Sequence, residues 1–478
     1  MTNFDIFPYL NKKANEVKMK LFSGLKNFAA LALAAMFIFA PAYAFCQTPP
    51  PAAAPAAARA KVYIDLEAPA IKKLPIAIQE FREAPSSGSK ADEKTAAAIK
   101  AEILDALTGD LRFSNLFTFI KKEAFLEDPA KSGVTLKETN FKDWRAVGAD
   151  ALIKGRFTIE KGSLTVEVRL FDCVDEKEIL GKRFVGSSLS PRRLAHYFAD
   201  QIYEELTGRK GIFGTKLLFV SKRTGNKEVY MSDYDGRGVR QITRSKAINF
   251  SPYWSPDGKK IIYTSYKKGW PCLYMLDLRT GEDAALSDRP GINIGGRLSP
   301  DGRSAALTLS GKKSTELYSL DIGTKSYKQL TDNSANDVSP AWSPDGKRLA
   351  YVSDSSGNPH IFVLELGAGE IARLTYGGKY NASPAWSPDG RLIAFSRQDG
   401  GEFNIWTQGI NDAEAAQLTF EGDNRSPSWS PDSRQIVFSR GEQGSSSLYI
   451  MNADGTALVK LDTGALTESQ PSWSPFME

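Results

Sequence analysis

From Leu217 onward, short runs of apolar and polar residues alternate with the two-residue period of half-buried strands. RLAYVSD, ending at Asp354, is one such run. HIFVLEL and IARLT follow it, separated by turns at Ser356-Gly357-Asn358 and at Gly367 to Gly369. The turn before it, Pro344-Asp345-Gly346-Lys347, has the needed chemistry: Pro presets φ, Asp bonds its own backbone, and Gly accepts positive φ. Together with SPAWS these runs make four short strands, and helix-forming runs are missing. The whole unit recurs. SPAWSPDGKRLAYVSD from Ser339 returns as SPAWSPDGRLIAFSR from Ser383. The second Ser-Pro step falls at Ser255, Ser299, Ser343, Ser387, Ser430 and Ser474, spaced 44, 44, 44, 43 and 44 residues apart. Five of the eight tryptophans stand just before it, at Trp254, Trp342, Trp386, Trp429 and Trp473, with Leu298 in the remaining copy.

Four antiparallel strands at this period predict propeller blades. The first unit, LLFVSKRTGNKEVYMSDYDGRGVRQIT, lacks its leading strand, and the last, ESQPSWSPFME, is only that strand. The two fragments complete one blade. This predicts a six-bladed ring closed by the C-terminal strand, with no free sheet edge to invite aggregation.

The region from Lys61 to Arg209 has a different pattern. VYIDLE, LPIAIQEF, LFTFI, ALIKGRFTIE, SLTVEVRLFD and ILGKRFVG read as strands. Helical spacing of Ile99, Ile103, Leu104, Leu107 and Leu111 predicts a helix over 94–111. A second amphipathic helix, RRLAHYFADQIYEELTG, carries Leu194, Phe198, Ile202 and Leu206 on one stripe and stops at Gly208. The expected fold class is therefore multi-domain: an N-terminal α/β domain of two helices on a small mixed sheet, then an all-β six-bladed β-propeller. The expected boundaries are 61–209 and 210–478.

Ahead of both domains, Lys18, Lys20 and Lys26 precede FAALALAAMFIFAPAYA, and Ala42-Tyr43-Ala44 has the form of a signal cleavage site. Residues 1–44 are read as a signal peptide, with Met19 an alternative start, and 45–60 as a Pro/Ala-rich linker. Export to the periplasm is expected, with no membrane span after cleavage. Phe45 before Cys46 does not fit a lipobox. Cys173 and Cys272 are expected as packed thiols rather than a disulfide framework.

Charge narrows the functional classes. The chain has 61 basic and 56 acidic residues and no basic stripe interleaved with aromatics, so nucleic acid is not an expected partner. A propeller-linked serine peptidase would need a G-x-S-x-G elbow, a His and an Asp. No such elbow exists, and the two histidines, His196 and His360, have no paired nucleophile. Two histidines also exclude a His-rich zinc site. Asp233-Tyr234-Asp235-Gly236 and Asn452-Ala453-Asp454-Gly455 resemble part of a calcium loop but lack its trailing Glu, and Asx-Gly is ordinary hairpin chemistry. No cofactor is expected. A calcium ion held among acids in the propeller channel stays open.

The junction RRLAHYFADQIYEELTGRKGIFGTKLLFVSKRTGNKEVYMSDYDG resembles that of the TolB family, the periplasmic propeller proteins of the Tol-Pal system. So do DLRFSNLF, DWRAVGADALIKGRF and VRLFD, and the SPxWSPDG units match that family's propeller. The resemblance covers the chain after the linker, in the family's domain order. It implies a non-enzymatic, monomeric periplasmic adaptor that maintains the outer membrane during division. A Pal-like outer-membrane lipoprotein would dock on the propeller, and a TolA-like inner-membrane protein would contact the N-terminal region. The alternative is a secreted propeller that binds a glycan or peptide in its channel.

Six residues before each second Ser-Pro step stand Asn249, Asn293, Asp337, Asn381, Asn424 and Glu468. They are expected to ring one mouth of the channel, either as a binding ring or as turn caps. Ile248, Phe250, Ile292, Ile294, Val338, Tyr380 and Arg425 flank them, which suits a protein interface, with Phe250 and Tyr380 the candidate hot spots.

Overall fold

The computed structural model of the chain describes residues 64, 66, 72–84, 92–128, 132–160, 162–187, 190–442 and 444–477. The expected signal peptide, linker, Cys46 and most of VYIDLE lie outside them.

The N-terminal domain is a mixed sheet built from β1 (Leu74–Ile78), β2 (Arg82–Glu83), β3 (Phe117–Phe119), β4 (Ala151–Glu160), β5 (Ser163–Asp172) and β6 (Lys177–Ser187). Its order is β3-β1-β4-β5-β6, with β2 pairing β4. The β1 pairings with β3 and β4 are parallel, and β4-β5-β6 is an antiparallel meander. Helix α1 (Glu93–Phe113) starts at Asp92, whose carboxylate accepts from Thr95 N at 2.9 Å. The short α2 (Phe141–Ala146) was not anticipated from periodicity, being under two turns long. Helix α3 (Pro191–Thr207) opens on Pro191 and ends at left-handed Gly208. The apolar stripes of α1 and α3 pack on the sheet in one core with Phe157, Val166, Val168 and Leu170. On another part of the domain, α2 contributes Phe141 and Trp144 to a smaller cluster with Leu152, Phe171 and Cys173. Cys173 and Cys272 are both buried free thiols.

The propeller has six four-stranded sheets. Blade 1 joins Ser469–Trp473 from the C-terminus to Lys216–Ser221, Glu228–Asp233 and Arg240–Gln241. The closing strand pairs antiparallel, Ser469 opposite Val220 and Trp473 opposite Leu217. Blades 2 to 6 begin with Asn249–Trp254, Asn293–Leu298, Asp337–Trp342, Tyr380–Trp386 and Asp423–Trp429. Each of these first strands touches its counterparts in the two neighbouring blades, and the series closes from blade 6 through blade 1 to blade 2. The first strands therefore form the inner ring around the channel.

The repeated motif has a three-part structural meaning. At the first Ser-Pro step the inner strand bulges and the register shifts. The residue before the proline is left-handed: Ser251, Ser339, Ser383, Ser426 and Gln470 all have φ between 49° and 57°. Blade 3 has Gly295 there instead, at φ 67°. The tryptophan then stitches the blades. Three of the five do so by a hydrogen bond: Trp254 donates from Nε1 to Ser472 O, Trp342 to Arg297 O and Trp429 to Ala385 O, at 2.9–3.1 Å. Trp473 donates to Thr215 Oγ1, and Trp386 Nε1 is buried without a hydrogen-bond partner. At the second Ser-Pro step the serine hydroxyl donates to the Asp two residues on and accepts the N–H five residues on, as Ser343 does with Asp345 and Arg348. Blade 3 lacks the tryptophan, and there Arg297 reaches across to the Tyr253 hydroxyl at 2.8 Å and lies over its ring.

Candidate functional site

Inner strands start, second strands end and third strands start on one face of the propeller, since Asn249 pairs with Ser265 and Ser265 with Cys272. The loops on this face thus surround one mouth of the channel.

The six polar residues expected to ring that mouth are all fully buried: Asn249, Asn293, Asp337, Asn381, Asn424 and Glu468 have 0% exposure. Five open their inner strands at its first or second residue, and Glu468 immediately precedes its strand, so they do not sit on a free connection. Their groups tie the mouth loops down and link each blade to the one before. Asn249 N donates to Lys227 O, and its amide donates to Glu228 Oε2 and Ala247 O. Asn293 and Asn381 repeat this on Pro271 O and Pro359 O. Asn424 donates to Glu421 O and Gly422 O. Asp337 accepts from Asn333 Nδ2, and Glu468 accepts from Arg223. Burial pushes both carboxyls above their ordinary values. As direct contacts for a partner these six are corrected: backbone groups at the loop ends need internal partners, and short polar side chains supply them.

The flanking residues divide. Ile294 and Val338 are buried. Phe250 and Tyr380 are half-buried, packed on Tyr266 and Phe403 with ring centroids 6.2 and 5.4 Å apart. Ile292 is half-buried, and Arg425 lies 4.0 Å over the Phe403 ring. Only Ile248 is exposed, at 37%.

The large apolar side chains exposed on this face are others. Trp270 (44%), Tyr376 (71%), Phe420 (75%) and Leu466 (55%) join Ile248 there. Trp270 sits between the second and third strands of blade 2, and the rest sit on blade-to-blade connections. Periodicity had a signal for two of them. Tyr376 and Phe420 follow the Leu-Thr pair that ends the outer strands of blades 4 and 5. That threonine is buried, accepting Ile361 N or Ile405 N, so the next side chain is turned outward.

Neither histidine faces the mouth's solvent. His360 is buried beside Thr375 and Asn381, and burial with Arg373 and Arg397 nearby lowers its pKa to about 4. His196 lies at the junction of the two domains, with Nδ1 2.8 Å from the Asp110 carboxylate.

This architecture defines a class: a six-bladed propeller preceded by an α/β domain with a mixed sheet. The family described as the TolB beta propeller domain matches residues 203–477, and the one described as the TolB amino-terminal domain matches residues 62–179. The chain belongs to the TolB family. The Tol-Pal system protein TolB of Desulfosudis oleivorans is 38% identical over 197 residues, 41% of this chain and 44% of that protein. Its counterpart in Geobacter metallireducens is 40% identical over 161 residues, 34% of this chain and 37% of that protein. The chain thus spans less than half the length of the curated relatives it matches. The crystal structure of TolB from Acinetobacter baumannii matches with a TM-score of 0.71 at 27% identity, covering 87% of this chain and 100% of that one. No helix among the described residues is long and apolar enough to cross a membrane.

Proposed function

We propose that the chain is a non-enzymatic periplasmic adaptor of the Tol-Pal system. Its propeller mouth docks a Pal-like, peptidoglycan-associated lipoprotein of the outer membrane. Its N-terminal region contacts a TolA-like protein of the inner membrane, and the link supports the outer membrane during cell division. One observation carries this reading. Ile248, Trp270, Tyr376, Phe420 and Leu466 are exposed on one face of the propeller, where the other face exposes the smaller Ile371, Leu458 and Val459. Apolar side chains gathered on a rigid face are the anchors a protein partner desolvates. Charge supports a protein partner with an acidic side. Loops of blades 1 and 3 carry Lys222, Lys312 and Lys313, while blade 5 carries Asp399 and Glu402; Lys267 and Lys268 of blade 2 are paired with Asp283 and Asp288.

The test is affinity of the mature chain for the soluble domain of a Pal-like lipoprotein. Tyr376→Ala combined with Phe420→Ala should weaken binding at least about thirtyfold, the scale of a hot spot. Ile371→Ala, exposed on the third-to-fourth-strand side of blade 4, should not. Rising salt should slow association. Equal binding by both variants rejects the face, and no binding by the folded wild type rejects the partner.

A further inference from the structure

The domain junction holds a cluster of ionisable groups that partner docking at the mouth does not use. His196 projects from α3 and is 2% exposed. Its Nδ1 lies 2.8 and 3.0 Å from the two oxygens of Asp110 on α1. Tyr234, in the turn after the third strand of blade 1, donates its hydroxyl to the same carboxylate at 2.8 Å. The imidazole is thus oriented by a carboxylate at one nitrogen. The other, Nε2, is buried and has no hydrogen-bond partner.

Nε2 points at two carboxylates of the propeller. Asp233 Oδ2 is 3.9 Å away, and ligand atoms of His196, Asp233 and Asp235 all lie within 4.8 Å of one another. These acids flank the Asp-Tyr-Asp-Gly turn that the sequence marked out. The turn is a hairpin, with Asp233 N bonded to Arg237 O, and it also sets both carboxylates toward the helix. Each has a cation on one side: Lys216 bonds Asp233 Oδ1, and Arg192 bonds Asp235 Oδ2. Arg192 also binds Asp105 at 2.7 Å, and Asp235 Oδ1 accepts Arg237 N at 3.0 Å. A carboxylate has about four lone-pair sites, so each retains capacity for a further bond.

A histidine held by a carboxylate at one nitrogen, with its other nitrogen facing further carboxylates, is the arrangement that ligates divalent transition metals. Nitrogen with two carboxylate oxygens and a water suits tetrahedral zinc, whose ligand distances of about 2.0–2.2 Å require a small inward movement of the carboxylates. We propose that His196, Asp233 and Asp235 form a zinc-type site that clasps the N-terminal domain to blade 1. His196 comes from one domain and the two acids from the other, so a bound ion closes the junction. A proton on Nε2 is the rival occupant, because the same acids favour either positive charge there.

The test is titration of the chelator-treated full chain with Zn²⁺, with Mn²⁺ and Ca²⁺ as comparators. One Zn²⁺ per chain is expected, together with a higher Tm. His196→Gln and Asp233→Asn, each checked for native circular dichroism, should weaken binding at least about tenfold. X-ray absorption on the zinc-loaded wild type should show one imidazole nitrogen among oxygens. This result stands even where a variant does not fold. The proposal is overturned if the wild type binds no zinc, if affinity survives His196→Gln, or if the bound ion has no imidazole ligand.

Discussion

The domain junction and the propeller mouth break the usual partition of side chains in opposite directions. At the junction, Asp110 and His196 are charged or polar groups taken almost wholly out of water; Asp110 is answered by His196 and Tyr234, and His196 is answered at Nδ1 while its Nε2 keeps no hydrogen-bond partner. At the mouth, Tyr376 and Phe420 are aromatic rings left in water with more than two thirds of their surface exposed. Buried polar groups that find partners make a region complete in itself. Exposed apolar groups on a rigid frame leave a region complete only when another surface covers them. The two regions should therefore respond to substitution in different experiments, one in stability and one in binding.

The largest effect is expected at Asp110. Its removal leaves His196 and the Tyr234 hydroxyl buried without their shared acceptor, and breaking such a pair costs about 3–5 kcal/mol. Asp110→Ala should lower the unfolding free energy by that amount in denaturant titration. Phe420→Ala should stay within about 0.5 kcal/mol of wild type in the same titration, as exposed substitutions do, while losing partner affinity. A mouth variant that destabilises like Asp110→Ala would erase the distinction.

How far the sequence revealed each region follows from the same contrast. The blades were legible because a 44-residue repeat multiplies every weak strand and turn signal six times. Ring closure was legible from the incomplete first and last units, and Ser469–Trp473 pairs with Lys216–Ser221 accordingly. The polar ring at Asn249 and its equivalents was visible as a pattern but not as a burial state. A conserved phase in a repeat marks positions with equal structural duty, and here that duty is linking blades. The exposed apolar side chains of Trp270 and Leu466 break the repeat, so periodicity had nothing to say about them. Nor could it bring His196 to Asp110, 86 residues away, since that approach depends on how α3 crosses α1.

A smaller effect is expected at the seam between blades 2 and 3, which bears on the rigidity of the frame under the mouth. In place of the Trp stitch, Leu298 packs against a cluster containing Ile262, Leu273 and Leu307. A Cβ on Gly296, where the other inner strands have proline, would lie 2.4 Å from Leu273. The seam has thus closed around small residues. Leu298→Trp should overpack it by about 1–3 kcal/mol and lower Tm. A Tm equal to or above wild type would mean that the seam has room to accept the stitch.

The remaining test returns to the junction and uses protons instead of deletions. Asp200 on α3 accepts Phe213 N at 2.8 Å and Gly214 N at 2.9 Å, fixing the segment that leads into blade 1. Burial raises its pKa from the ordinary 3.8 to about 7, against the pull of those two N–H donors. The folded chain then holds a proton over a pH range in which the unfolded chain has released it. Stability from this group is full below pH 3.8 and is lost as pH rises through about 7, with a slope of at most about 1.4 kcal/mol per pH unit. Asp200→Asn keeps a carbonyl oxygen for Phe213 N but cannot titrate, and its amide cannot accept Gly214 N. It should be less stable than wild type at pH 5, and the gap should narrow steadily to pH 7. A gap that stays constant over that range would show that Asp200 is already ionised and that the two N–H donors of Phe213 and Gly214 outweigh its burial.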